Sequence, residues 1–217
     1  ITILCMSCLF LLLSLIYSAD ILVLKFFEID AMDFGIYAFT SKIIHGLCII
    51  PQSIGTIFFS LSIKKENEIN IASKIIILKF YFYFLIFSLI VLYFSLPELI
   101  HLFLGPTYQN MHNIFLLLLP GVCGLFIIKT LYPDIAGQYQ VKPFLNTFVL
   151  IILLQITLNI IFISKYSIIG CAISSSISYI ILATLIIKKY LKINNLKLSQ
   201  LVILTVDDLK SIVYNFI

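Results

Sequence analysis

The chain has 217 residues, 62% of them hydrophobic and 11% charged, and its mean hydropathy is +1.16. An ordinary soluble domain is about 45–50% apolar and about 25% charged, so a soluble globular protein is excluded, and so is a disordered chain. Net charge is +4, every basic residue is a lysine and arginine is absent, which argues against a nucleic-acid reader because arginine is the usual bidentate ligand of phosphates and bases.

What remains is an all-α membrane protein. A spanning helix needs about 20 mostly apolar residues, and the pattern predicts a six-transmembrane-helix bundle over residues 1–190 with a tail over 191–217. The chain starts at Ile1, already inside an apolar run, and we read it as a fragment.

Helix A is expected over residues 1–27 and carries Asp20. Tyr17-Ser18-Ala19-Asp20 resembles a signal-peptide cleavage site, but no basic region precedes it and the apolar run resumes at Ile21. Glu28, Asp30 and Asp33 follow in a short acidic loop that lacks a full calcium ligand set. Asp33 is expected to cap helix B.

Helix B is expected over 34–63, with Lys42 and His45 on nearly one face and Pro51 interrupting its middle. Asp20 and Lys42 each lie about two turns from the A–B loop, so they are expected to meet at one depth. Ionisable groups inside a membrane are costly and usually face a cavity or a partner. The competing reading is a structural ion pair. His45 titrates in a range suited to proton coupling, or it serves as an interhelical hydrogen-bonding group.

Helix C is expected over 75–96, with Lys79 snorkelling to the headgroups. A loop from Pro97 to Asn110 leads to helix D over 112–136, which holds Lys129 and, after Pro133, Asp134. Lys129 either faces a cavity or snorkels. Helix E is expected over 143–163 with the polar pair Gln155 and Asn159. Helix F is expected over 168–187, where Gly170, Ser174 and Ser178 form a small-residue packing stripe. In the tail, apolar residues from Leu198 to Phe216 follow helical spacing, which predicts an amphipathic helix on the membrane surface.

Lysines set the orientation. Lys64, Lys65, Lys74, Lys142, Lys188, Lys189, Lys192, Lys197 and Lys210 fall on one side, and only Lys25 and Lys165 on the other. The lysine-rich side, which includes the C-terminus, is expected to be cytoplasmic. Tyr37, Tyr108, Tyr139, Tyr166 and Tyr190 fall near predicted span ends, as interfacial aromatics do. Cys5, Cys8, Cys48, Cys123 and Cys171 lie in apolar stretches and read as packing residues, so neither a metal nor a cofactor is expected.

Three stretches carry a family resemblance: MDFGIY at 32–37, LYPDIAGQYQVKPFLNTF at 131–148 and NIIFISKYSIIGCAISSSISYI at 159–180. In order and spacing they resemble the C-terminal half of a bacterial Wzx-type polysaccharide flippase. That family exports lipid-linked O-antigen or capsule repeat units and belongs to the multidrug/oligosaccharidyl-lipid/polysaccharide exporter superfamily. The resemblance implies one lobe of a twelve-helix, two-lobe transporter in the bacterial inner membrane, spans seven to twelve, with an N-terminal lobe elsewhere. It further implies a lipid-linked oligosaccharide as cargo, alternating access driven by a proton or sodium gradient, contact with membrane lipids, and a polysaccharide polymerase and chain-length regulator as partners. Asp20, Lys42, His45, Lys129 and Asp134 are then the candidates for the substrate or ion pathway.

A multidrug or other lipid exporter of the same superfamily is the nearest alternative. A membrane polymerase or acyltransferase would need catalytic residues gathered in loops, but the loops are short and His45, His101 and His112 form no HxxxD or HExxH pattern. No enzyme activity is expected. A purely structural subunit would leave the intramembrane charges without a task.

Overall fold

The computed structural model describes residues 2–63, 71–105, 108, 110–138 and 142–203. All its regular structure is helical. Long Leu/Ile/Phe runs favour this outcome, because in hydrocarbon a helix satisfies its backbone groups internally. In chain order the helices are α1 (Thr2–Leu24), α2 (Ala31–Leu47), α3 (Ile49–Ile63), α4 (Ile71–Phe103), α5 (Asn110–Gly137), α6 (Lys142–Ile193) and the short α7 (Leu198–Val202). Among the described residues, three helices are long and apolar enough to cross a membrane, and α2 with α3 makes a fourth if the bent pair is one span. Lys64, Lys65, Tyr139, Lys210 and most of the expected tail helix lie outside the described residues.

The predicted helix B is two helices. They meet at Cys48 with a bend of 41°. Pro51 has no N–H to offer the carbonyl four residues back, and its ring crowds that carbonyl. The break therefore falls one turn before the proline. Helix B also begins earlier than expected. Asp30, not Asp33, is the N-cap, and its carboxylate accepts from Met32 N at 3.0 Å. Asp33 sits in the first turn.

Pro97 does not end α4, which continues through the apolar Leu99, Ile100 and Leu102 to Phe103. A single lost backbone bond is tolerated there. Helices E and F are joined at Ser167, whose backbone is non-helical (φ 52°, ψ −132°). The chain reverses at that residue. Ser174 donates to Asn159, yet 15 residues along a straight helix would hold them about 22 Å apart. Gly170 packs so closely on the Phe162 carbonyl that an added Cβ would collide with it. The two arms of α6, 142–166 and 168–193, thus lie against each other.

The most buried helix is α5. It packs on α3 and on the second arm of α6, while α1 packs on α6. Glycines set the closest approaches. A Cβ at Gly121 would meet Ser176, one at Gly124 the Tyr179 carbonyl, and one at Gly55 the Lys129 carbonyl. Small residues at such crossings let helix backbones approach. In contrast, α4 exposes Phe80, Phe84, Phe87, Ile90, Val91 and Phe94 along its length. An apolar surface of this extent fits hydrocarbon and not water.

Candidate functional site

The break between α2 and α3 adjoins a cavity of about 470 Å³ walled by α1, α3 and α5. Leu13, Ser14 and Tyr17 line it from α1, Gln52, Thr56 and Phe59 from α3, and Lys129, Tyr132 and Pro133 from α5. Among the described residues, Lys129 is the only lysine or histidine in the wall. Its ammonium donates to Gln52 Oε1 at 3.1 Å and sits 4.7 Å from the centroid of the Tyr17 ring. Neither partner carries a negative charge, so neither offsets the charge of the ammonium, which keeps spare N–H donors. His45 packs edge-on with Tyr17, its ring 5.7 Å from that of the tyrosine. Four helices thereby converge on one half-buried cation next to a helix break.

Asp20 is placed differently from expectation. It is 2% exposed and faces α2 and α6. Tyr37 donates to Asp20 Oδ2 at 2.6 Å, Ser175 donates to the same oxygen at 3.4 Å, and Ile21 N donates to Oδ1 at 2.8 Å. The Cys171 thiol contacts the Asp20 carbonyl at 3.8 Å. Lys42 is exposed and makes no hydrogen bond or ion pair among the described residues. The expected Asp20–Lys42 pair is therefore not formed. Lys42 lies within electrostatic reach of His45, as does Lys129. Tyr37, expected at an interface, is instead fully buried as the main donor to Asp20. Tyr190 is likewise buried.

Asp134 belongs to a third group. It is 1% exposed and forms an ion pair with Lys74 at 2.8 Å. Lys74 also donates to Ser62 Oγ at 2.8 Å, and Ser62 donates to Asp134. This triad fastens the end of α3 to the start of α4 and the end of α5. Lys79, expected to snorkel, is 4% exposed and held inside the bundle.

The five candidates thus fall into three places. Lys129 lines the cavity and His45 packs on the Tyr17 ring beside it, while Lys42 is exposed on α2. Asp20 and Asp134 stand in separate buried networks. Sequence reasoning missed Gln52, Tyr17 and Lys74. Gln52 had a legible signal, a long polar side chain beside a proline in an apolar run. Lys74 reads from sequence only as a loop charge, because its partner is 60 residues away.

On fold alone the chain is an α-helical protein with membrane-length apolar helices, a broken helix and a cation-bearing cavity. The Cys8, Cys48, Cys123 and Cys171 thiols are free, and no group of three His, Cys, Asp or Glu gathers among the described residues. Comparison with family models, with curated proteins and with solved structures returned no match.

Proposed function

We propose that this chain forms one lobe of a transporter that moves polyisoprenyl pyrophosphate-linked oligosaccharides across the bacterial inner membrane, for O-antigen or capsular polysaccharide synthesis. The observation that carries the reading is Lys129, a lysine whose partners among the described residues, Gln52 and Tyr17, are neutral, in a cavity between apolar helices. Such a group is costly in an apolar helix and suits an anionic headgroup. Its charge favours a phosphate-bearing cargo over the cationic compounds a drug exporter would carry.

In this reading α1, the bent α2–α3 pair, α4, α5 and the two arms of α6 are six crossings, spans seven to twelve of a two-lobed protein. The lysine asymmetry puts the start of α4 and the end of α6 on the cytoplasmic side. The cavity then opens from mid-membrane toward the cytoplasm, where lipid-linked sugars are assembled. The α2–α3 break supplies a bend of the kind discontinuous transporter helices place at binding sites. An ion gradient drives the cycle.

The test is transport of a lipid-linked repeat unit in cells or reconstituted vesicles. Lys129→Ala, at normal membrane levels, is expected to lose most of its flux. Unchanged flux in Lys129→Ala and Lys129→Glu would remove the basis of the proposal.

A further inference from the structure

The second arm of α6 changes character along one face. Ile177, Ile181, Leu185, Lys188 and Lys192 recur at three- and four-residue spacing, which puts them on one stripe of a helix. Ile177 and Ile181 are half-buried, and Leu185, Lys188 and Lys192 are exposed. The apolar part of the stripe, from Ile177 to Leu185, is about 12 Å long at the helical rise. That is close to the roughly 15 Å of hydrocarbon in one leaflet, so the two lysines stand at the level of the headgroups. Lys189, between them, is engaged elsewhere: its ammonium lies 3.6 Å from the centroid of the Phe144 ring.

Beyond Lys192 the chain turns back. Asn195 adopts a left-handed backbone (φ 52°), and Leu196 N donates to the Leu191 carbonyl at 2.9 Å. The exposed Lys197 follows and opens α7, which packs on α4. A third ammonium thus returns to the same end of the helix.

This charge has no counterpart in the described fold. Lys188 and Lys192 make no hydrogen bond or ion pair with another described residue, and like charges four residues apart repel. The carbonyl end of α6 supplies only about half a negative charge, too little for three ammonium groups. Among the described carboxylates, Asp134 beside Tyr190 is the one at this end of the bundle, and it is already paired with Lys74.

We infer that the end of α6 and the start of α7 bind an anionic phospholipid of the adjoining leaflet. Its phosphate sits between Lys188 and Lys192 with Lys197 beside it, and an acyl chain follows Ile177, Ile181 and Leu185. Charge complementarity selects the headgroup. A phosphate without its own ammonium neutralises the lysines, whereas a zwitterionic headgroup brings a competing cation. Position selects the source. The cavity that holds Lys129 is walled by α1, α3 and α5, so a cargo headgroup bound there leaves this stripe to the surrounding bilayer. The inference needs membrane placement alone and is independent of the cargo.

The test titrates the purified full-length protein in detergent with phosphatidylglycerol and, separately, with phosphatidylethanolamine of the same acyl chains. Native mass spectrometry counts the bound lipids. The expected result is at least about tenfold tighter binding of phosphatidylglycerol. Joint replacement by Lys188→Gln, Lys192→Gln and Lys197→Gln is expected to cut that ratio at least about fivefold, and arginine at the three positions to keep it. Lys25→Gln with Lys165→Gln removes charge at the opposite end of the bundle and is expected to leave the ratio unchanged.

An unchanged ratio in the triple glutamine variant would overturn the inference. So would an equal loss in the Lys25 and Lys165 variant, which would mark a general effect of net charge. A third titration uses a polyisoprenyl pyrophosphate. Phosphatidylglycerol that stays bound supports the phospholipid assignment. Its displacement from the wild-type protein, with the pyrophosphate lipid failing to bind the triple variant, would make the stripe a port for cargo and overturn it. A protein that shows the phosphatidylglycerol preference but moves no lipid-linked sugar keeps this site and loses the cargo assignment.

Discussion

The ammonium of Lys129 on α5 meets the amide oxygen of Gln52 on α3 at 3.1 Å, four residues past the point where the α2–α3 helix breaks. This bond ties the cavity's lysine to the far side of the bend. An anion entering the cavity would compete with Gln52 for the ammonium. Anion binding at Lys129 would thereby be coupled to the position of α3 through a single contact.

Lys129→Ala is expected to weaken binding of a phosphate-bearing lipid by about 10–100-fold, the equivalent of one charge-assisted hydrogen bond of about 1.5–3 kcal/mol. Lys129→Arg should keep most of it, since charge and donors remain. Gln52→Leu is expected to tighten binding, because the ammonium loses a competitor. Titration of purified protein with a polyisoprenyl phosphate checks all three variants.

Tyr37→Phe removes the shortest donor to a buried carboxylate. It is expected to destabilise the protein by about 1–3 kcal/mol. Asp20→Asn keeps an acceptor and should cost less. Because the two side chains are in contact, the double variant should fall short of the sum of the singles. Thermal unfolding in detergent measures this cycle.

Lys74→Ala leaves the buried Asp134 carboxylate without its cation. It is expected to cost about 3–5 kcal/mol, whereas joint replacement by Lys74→Met and Asp134→Leu is nearly neutral. A stability measurement on both variants separates an anchoring ion pair from a transport site. If Asp134 also served transport, the stable double variant would lose flux.

Gly55→Val drives a branched side chain into the Lys129 backbone. It is expected to separate α3 from α5 and to lower both stability and flux. Gly35, which has nothing within 4 Å of an added Cβ, should accept alanine without loss. Expression level and melting temperature distinguish the two.

Membrane class and helix content were legible because they follow from composition and run length, which local sequence determines. The bend was legible to within a turn, since Pro51 acts on its own backbone. Partner choice was not. Asp20 and Lys42 share a depth, but depth leaves the helix face undetermined, and α2 turns Tyr37 toward Asp20 and leaves Lys42 on the exposed side. Ser62, Lys74 and Asp134 come from three helices, and no periodic pattern relates them. The reversal at Ser167 was read as a loop, and the structure compresses it to one residue with positive φ.

The most direct test of the central claim is binding of two otherwise identical lipids to the purified full-length protein, a polyisoprenyl pyrophosphate and the matching polyisoprenol. The account predicts that the wild-type protein prefers the pyrophosphate by about tenfold or more, and that Lys129→Ala abolishes this preference without changing affinity for the alcohol. Equal binding of both lipids by the wild-type protein, or an undiminished preference in Lys129→Ala, would contradict it.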